Sequence, residues 1–460
     1  MSEEPTPFSA SADESLSALE ERARAVSEAL GMGNVDRACA LVQELHSADA
    51  ADVIGQVHGA DRALLIRGLA GTLDADVLTN LEAGVRDQVL DRMEPGQVAD
   101  AVAQLETDDA IGLLEDLDVE SRSQVLDEVP AADRAHIESG LGYPEDSAGR
   151  LMQRDFVAIP EYWTVGQAID HMRESEDLPE DFYELFVIDP AQRPVGTTPL
   201  NRFLRSPRDV VVGSIMDKKP HLIPVGMDQE DAAFEFQQYD LPSAGVVDLS
   251  GRLLGVIMID DIVDVIHEEA EEDLLRLGGV AETDLARSVL TTIRRRFSWL
   301  FVNLLTAILA SFVIFMFEAT IEEIVAVAIL MPIVASMGGN AGTQTLTVAV
   351  RALATHDLTA ANAGRIVMKE LLVGLANGVL FAVMVAVVGG LWFGKPELGL
   401  VFGLAMLITM VAAAFAGILA PLSLSKWGMD PATGSSVVVT TVTDVVGFFS
   451  FLGLVAWFLV

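Results

Sequence analysis

Ser435-Ser436-Val437-Val438-Val439-Thr440-Thr441-Val442-Thr443-Asp444-Val445-Val446-Gly447-Phe448-Phe449 is the stretch on which the reading of this chain turns. With the apolar residues that continue to Val460, it is long enough to cross a hydrocarbon layer of about 30 Å at about 1.5 Å per residue. One carboxylate, Asp444, interrupts it, and no other acidic or basic residue lies between Pro431 and Val460. Placing an ionised carboxylate at that depth costs about 2.5 kcal/mol or more, so Asp444 is expected to face a watery path or a cation. The competing reading is a carboxyl near a helix end, or one kept neutral by the neighbouring Thr hydroxyls.

Outward from this segment the chain divides into two chemically different parts. Residues 1–296 hold 60 of the 68 acidic and 24 of the 29 basic side chains of a 460-residue chain with net charge −39. The remaining residues, 297–460, are dominated by apolar runs. The start, Met1-Ser2-Glu3-Glu4-Pro5, is acidic and leads into no apolar region, so the first part is expected to stay in the cytoplasm. A single cysteine, Cys39, excludes an internal disulfide framework and fits a reducing compartment. A balance this negative argues against nucleic acid as a partner and points to cations. Lysine is scarce beside arginine, however, and salt adaptation could produce part of the acidity, so position and not total charge has to identify a site.

Residues 1–20 are rich in Ser, Pro and Glu without periodicity and are expected to be disordered. Residues 21–142 show recurring short amphipathic units, such as 52–58, 74–81, 97–105, 108–117 and 120–129, and predict a helical superhelix domain. Tyr143-Pro144-Glu145-Asp146 ends that run, and a duplicated module comes next. Gly149-Arg150-Leu151-Met152 recurs as Gly213-Ser214-Ile215-Met216, and Ile159-Pro160 as Ile223-Pro224, in both cases 64 residues on. Each copy, 143–206 and 207–266, reads as an amphipathic helix, a short strand, a turn, and a second strand leading into a helix.

A connecting helix is expected over 267–293, continuous with the most acidic passage of the chain, Asp260 to Asp273. Asp261, Asp264 and Glu268 share one helical face, and Glu269, Glu272 and Asp273 another, an arrangement that needs a cation or a basic surface to answer it. A solvated linker helix is the alternative. Arg294-Arg295-Arg296 then marks the membrane face, and residues 294–460 read as five spans at about 298–317, 323–350, 366–392, 398–422 and 434–459. Arg294, Arg295, Arg296, Arg351, Arg365, Lys369 and Lys426 fall at one set of ends and only Lys395 at the other. That bias predicts the amino terminus inside and the carboxyl terminus outside.

The second span carries Pro332 and then Gly338-Gly339-Asn340-Ala341-Gly342-Thr343-Gln344-Thr345. These residues are expected to loosen the helix where oxygens could turn toward a path, and oxygens are what hard cations prefer. Close helix packing is the other use of small residues here. Neither a P-loop nor a Ser/His or His/Cys constellation argues for an enzyme.

These residues resemble the MgtE family of magnesium transporters, and the resemblance runs along nearly the whole chain. Its most specific pieces are Gly338 to Thr345, Thr440-Thr441-Val442-Thr443-Asp444, and Glu269-Ala270-Glu271-Glu272-Asp273-Leu274. It implies an α-helical membrane protein with five transmembrane helices, preceded by a cytosolic α-helical superhelix domain and an α+β tandem CBS domain pair. It further implies a homodimeric, Mg2+-selective channel in a bacterial or archaeal inner (plasma) membrane, surrounded by lipid, with its pore at the dimer interface. Asp444 would coordinate the ion, with Asn340, Gly339, Thr343, Thr440 and Ser436 lining the path. Intracellular Mg2+ would close it through Asp100, Asp228, Glu230, Asp240, Asp261, Asp264, Glu269, Glu272 and Asp273.

Departures from the family pattern are visible. Gly96-Gln97 precede Val98-Ala99-Asp100, so the acidic motif of the first domain is incomplete. Ser436 stands where an Asn can line the path. ATP at the CBS pair is an open alternative, because Met258 occupies the Thr position of the nucleotide pattern and the first copy ends Asn201-Arg202. Two other functions stay open: a proton-coupled transporter that uses Asp444, and a nucleotide sensor that the spans only tether.

Overall fold

A computed structural model describes residues 7–69, 71–175, 178–179, 182–280, 289–359 and 361–460. The chain forms two compact units, Met1–His267 and Glu268–Val460.

In the first unit ten helices run in succession: α1 (Pro7–Gly31), α2 (Val35–Gln43), α3 (Ser47–Gln56), α4 (Gly59–Leu69), α5 (Ala75–Thr79), α6 (Ala83–Leu90), α7 (Pro95–Val102), α8 (Thr107–Glu115), α9 (Val119–Glu128) and α10 (Ala131–Leu141). They are short because the sequence supplies frequent caps. Asp118, for example, accepts the N–H groups of Glu120 and Ser121 at 2.9 and 3.1 Å and so starts α9. Each helix buries one apolar stripe, including Val53, Ile54, Leu65, Leu69, Leu78 and Val89.

The duplicated module comprises α11 (Ala148–Leu151), β1 (Ala158–Pro160), α12 (Val165–Glu174), β2 (Glu184–Ile188), β3 (Pro194–Pro199), α13 (Leu200–Leu204), α14 (Val212–Ile215), β4 (Leu222–Pro224), α15 (Gln229–Tyr239), β5 (Ser243–Val247), β6 (Leu253–Met258) and α16 (Ile259–Leu277). Each copy has a three-stranded sheet in which a parallel pair is followed by an antiparallel hairpin, ordered β1-β2-β3 and β4-β5-β6.

The copies exchange their leading segments. Ala148 and Gly149 donate their N–H groups to Met227 and Val225 of the second copy, whereas Val212 and Gly213 donate to Trp163 and Glu161 of the first. Ala148 and Met152 accordingly lie in the second copy's core with Ile223, Phe236, Val246 and Ile257.

The second unit contains α17 (Val289–Phe315), α18 (Glu318–Glu323), α19 (Ala326–Ala354), α20 (Ala363–Phe393), α21 (Pro396–Lys426) and α22 (Ser435–Phe458). Five of these helices are long and apolar enough to cross a membrane: α17 from Thr292 onward, α19, α20, α21 and α22. Among the five, α21 is the most enclosed. Its Phe402, Ala405 and Met406 pack with Val327, Leu330 and Val334 of α19 and Phe451, Leu452 and Val455 of α22.

Three features differ from the sequence expectation. The segment expected to be disordered to residue 20 is helical from Pro7, because Pro occupies the first helical turn and Ala, Leu and Glu carry the helix on. Residues 1–6 lie outside the described residues.

The second span is not loosened: α19 is one helix of 29 residues with Pro332 inside it. In hydrocarbon an unwound turn would strand backbone polar groups, and the neighbouring helices hold the regular conformation.

The acidic connecting helix is continuous with the Asp260–Asp273 passage as expected but has other bounds than 267–293, since α16 begins at Ile259 inside the second copy and ends at Leu277. Gly279, with φ +73°, turns the chain there. Residues 281–288 of the expected helix lie outside the described residues, and 289–293 already belong to α17.

Candidate metal centres

In the membrane unit three helices close on one another at glycines. A Cβ added to Gly338 would stand 2.5 Å from Thr409 Cγ2, and one on Gly342 would stand 2.5 Å from Val439 Cγ1. From Gly417 the same construction reaches the Gly342 carbonyl oxygen at 2.7 Å. This crossing of α19, α21 and α22 fixes the rotation of α19. Gly338, Gly342, Thr345 and Leu346 face inward, and Ser336, Asn340, Thr343, Gln344 and Thr347 are exposed along the other side.

On α22, Val439, Thr443 and Gly447 are buried at the crossing. Ser436, Thr440 and Asp444 recur at intervals of four residues and so share one stripe beside it. Thr440, Thr441 and Thr443 donate their hydroxyl protons to the carbonyls of Ser436, Val437 and Thr440 at 2.9, 2.6 and 3.0 Å. Their oxygen lone pairs remain available. Among the described residues no hydrogen bond or ion pair reaches the Asp444 carboxylate. Gly339, partly exposed, lies next to Asn340 on α19.

The end of α16 adjoins this unit's α21–α22 turn. Arg276 pairs with Glu272 and with Asp430 Oδ2, the latter at 2.7 Å. Asp430 in turn accepts the Ala432 N–H and the Thr433 hydroxyl, each at 2.7 Å. Leu277 packs with Leu346, Val350, Ala416, Ala432 and Val439. Burial, then Asp430 and Glu269, push the Asp273 carboxyl up to about 6.

In the first unit the structure gathers carboxylates of α8 and α16 that lie far apart in sequence. Burial comes first among the causes that raise the Asp108 carboxyl well above the ordinary range, followed by Asp261, Asp109 and Glu106. Burial and Asp260 likewise raise Asp261. Asp109 is pushed up to about 6 by burial, Asp76 and Asp264, against the pull of Arg86. Oδ1 of Asp108 is buried with no hydrogen-bond partner. The amide of Gln153 donates to Glu106 Oε2 at 2.6 Å and to Asp261 Oδ2 at 3.3 Å. No group of three or more His, Cys, Asp or Glu among the described residues already stands in position to hold a metal ion. The cluster therefore supplies charge and oxygen without a finished cage.

The other residues read from the sequence are dispersed. Asp228 caps α15, accepting the Glu230 N–H at 3.0 Å, whereas Asp240 ends the same helix in a left-handed conformation with φ +51°. Asp100 is exposed on α7, one helix before the cluster. Sequence reasoning missed Glu106, Asp108, Asp109 and Asp430. The available signal was Glu106-Thr107-Asp108-Asp109, three carboxylates in four residues opening a helix whose next residues are buried.

Comparison with known proteins finds three family models along the chain. A divalent cation transporter family, MgtE, matches residues 331–454, the MgtE intracellular N domain matches 45–146, and the CBS domain matches 148–206 and 212–268. The chain is 33% identical over 335 residues to the magnesium transporter MgtE of Thermus thermophilus, covering 72% of this chain and 74% of that protein. With the magnesium transporter MgtE of Enterococcus faecalis it shares 32% identity over 327 residues, 71% and 72% of the two chains. A crystal structure of the cytosolic domain of the Mg2+ channel MgtE in complex with ATP aligns with 53% of this chain and 99% of its own, at 28% identity and a TM-score of 0.49.

Proposed function

Since this chain belongs to the MgtE family of magnesium transporters, we propose that it conducts Mg2+ along a path lined by Asp444, Asn340, Gly339, Thr343, Thr440 and Ser436, and that cytosolic Mg2+ closes this path. The observation that carries the pore reading is a pair of polar stripes on two helices that cross at Gly342 and Val439: the exposed one on α19, and that of Ser436, Thr440 and Asp444 on α22. The outward faces of α17 and α20 offer Leu304, Ile308, Phe312, Leu380 and Val383, which suit lipid. Amides and hydroxyls do not, so the stripe calls for water and a second copy of the chain. Two copies meeting there enclose two Asp444 carboxylates and a lane of oxygens. A small cation that keeps most of its waters fits such a lane.

The feedback reading is carried by Asp108. A buried carboxylate oxygen with no donor, pressed by Asp109, Glu106 and Asp261, is stable only when protonated or when a cation neutralises it. Glu106, Asp108, Asp109, Asp261 and Asp264 would hold a regulatory Mg2+, and the charge it brings would let α8 and α16 stay together. Asp108 joins Asp100, to which the sequence assigns the same role in this domain. Asp228, Glu230, Asp240, Glu269, Glu272 and Asp273 are assigned the same regulatory role from sequence. ATP at the CBS pair finds less support, because Met258 is 6% exposed in an apolar cluster and offers no hydroxyl.

The amino terminus is assigned to the cytosol of a plasma membrane from the arginine and lysine bias. In a Cys39→Ser background, an impermeant thiol reagent outside intact cells should label Glu397→Cys and spare Asp357→Cys; the reverse pattern inverts the topology.

The function itself is tested by Mg2+ uptake into proteoliposomes at low and at millimolar internal Mg2+. Wild type should conduct at low internal Mg2+ only, and Asp444→Ala at neither. Normal uptake by Asp444→Ala would displace the pore. Uptake that requires a proton gradient would favour a proton-coupled carrier.

A further inference from the structure

Gln153 and Asp217 hold equivalent places in the duplicated module, 64 residues apart. Each lies against a glycine of the opposite copy. A Cβ added to Gly255 would stand 2.5 Å from the Gln153 carbonyl oxygen, and one added to Gly196 would stand 2.5 Å from that of Asp217. Their backbones pair alike: Gln153 N–H donates to Val256 at 2.8 Å and its carbonyl accepts from Val256 at 3.0 Å, while Asp217 and Thr197 exchange the same two bonds at 2.7 and 3.0 Å.

The side chains part company. That of Asp217 is exposed and, among the described residues, accepts the nearby Lys219 N–H at 3.2 Å. Gln153 is 7% exposed, and its amide nitrogen donates to Glu106 Oε2 at 2.6 Å and to Asp261 Oδ2 at 3.3 Å. The first copy thus carries a neutral donor at the place where the second carries a carboxylate, and this is the copy whose residue faces α8. An aspartate there would add one more negative charge beside Asp108. The amide instead places both of its protons between the two carboxylates that have to approach each other.

From this juxtaposition we infer that Gln153 is a positioning residue that sets the Mg2+ concentration at which the first unit closes, by holding Glu106 of α8 and Asp261 of α16 together before a cation arrives. The role rests on the proposal that cytosolic Mg2+ closes the path. Hydrogen bonds to ionised acceptors are stronger than neutral ones, and those of Gln153 offset part of the repulsion that Mg2+ would otherwise have to overcome alone. The closed arrangement is then populated at a lower Mg2+ concentration than the carboxylates by themselves would allow.

The test measures uptake by the full-length protein in proteoliposomes over a graded series of internal Mg2+. Gln153→Met keeps the length of the side chain and removes both donors, so the half-inhibitory Mg2+ concentration should rise about tenfold, equivalent to about 1.4 kcal/mol. Gln153→Lys puts a permanent cation among the carboxylates and should close the path with no Mg2+ present. A Gln153→Met variant that keeps the wild-type midpoint overturns the role. So does a Gln153→Lys variant that merely loses its response to Mg2+, which is the result of damaged packing. Wild type that conducts equally at all internal Mg2+ concentrations overturns the feedback reading itself, and this role with it.

Discussion

Replacing Asp108 with asparagine should make the metal-free first unit more stable and nearly blind to Mg2+. The buried Oδ1 of Asp108 lacks a donor, and burial, Asp261, Asp109 and Glu106 all disfavour its charge. Asparagine keeps the shape, removes the charge and offers N–H groups to the surrounding carboxylates. Leaving a buried acceptor unmatched costs about 1–3 kcal/mol. For a unit of this size each kcal/mol moves the unfolding midpoint by about 2–4 °C, so the variant should melt about 2–12 °C higher without Mg2+. In the wild type, Mg2+ at a hundred times its dissociation constant would contribute about 2.7 kcal/mol, and the variant should lose most of that gain. Cys39, the one cysteine of the chain, is buried on α2. A thiol-reactive dye therefore reports when this part of the molecule opens on heating. If Asp108→Asn melts below the wild type, or if Mg2+ raises both midpoints equally, the reasoning about this site is wrong.

Acid should imitate the cation. Asp109 titrates near 6 in the folded unit against an ordinary 3.8, so between those values the folded form binds more protons than the unfolded one. Its contribution favours folding below about 3.8 and is lost as pH rises through about 6. The metal-free midpoint should accordingly fall between pH 5 and pH 8, with a larger Mg2+ increment at pH 8; equal increments at both would remove the carboxylates from the site. In the membrane unit, Gly342→Val should force α19 away from Val439, at a cost of about 1–3 kcal/mol. Thermal stability in detergent and Mg2+ uptake should fall together, and a variant that conducts normally would show that the crossing does not shape the path.

Much of this architecture is legible in the sequence because it rests on long-period signals. The five spans follow from uninterrupted apolar length, and the paired α+β copies from the repeat of Gly149–Met152 as Gly213–Met216. The polar side of α19 is readable in kind, since Asn340, Thr343 and Gln344 stand out in an apolar run. Its rotation is not, because that depends on which glycines Thr409 and Val439 press against. Continuity through Pro332 escapes the sequence for a related reason: local propensity favours a break, and the surrounding helices and the absence of water overrule it.

The acidic cluster of the first unit is hidden differently. Glu106-Thr107-Asp108-Asp109 reads as an ordinary acidic helix start, and only the fold brings Asp261 and Gln153 to it.

The exchanged leading segments have a mechanical consequence. By covalent order the ten-helix region is joined to the first copy of the repeat, yet the backbone of Ala148, Gly149 and Gln153 is bonded to Met227, Val225 and Val256 of the second. Tension applied through α10 therefore bypasses the nearer copy and loads the farther one, whose last strand runs directly into α16. The first copy braces the same strand from the side, because Leu253 N–H of β6 donates to Gln192 at 3.0 Å and Phe186 packs with Leu253, Val256 and Met258. A pull on α10 is therefore felt first at β6, the strand that both copies share as a contact.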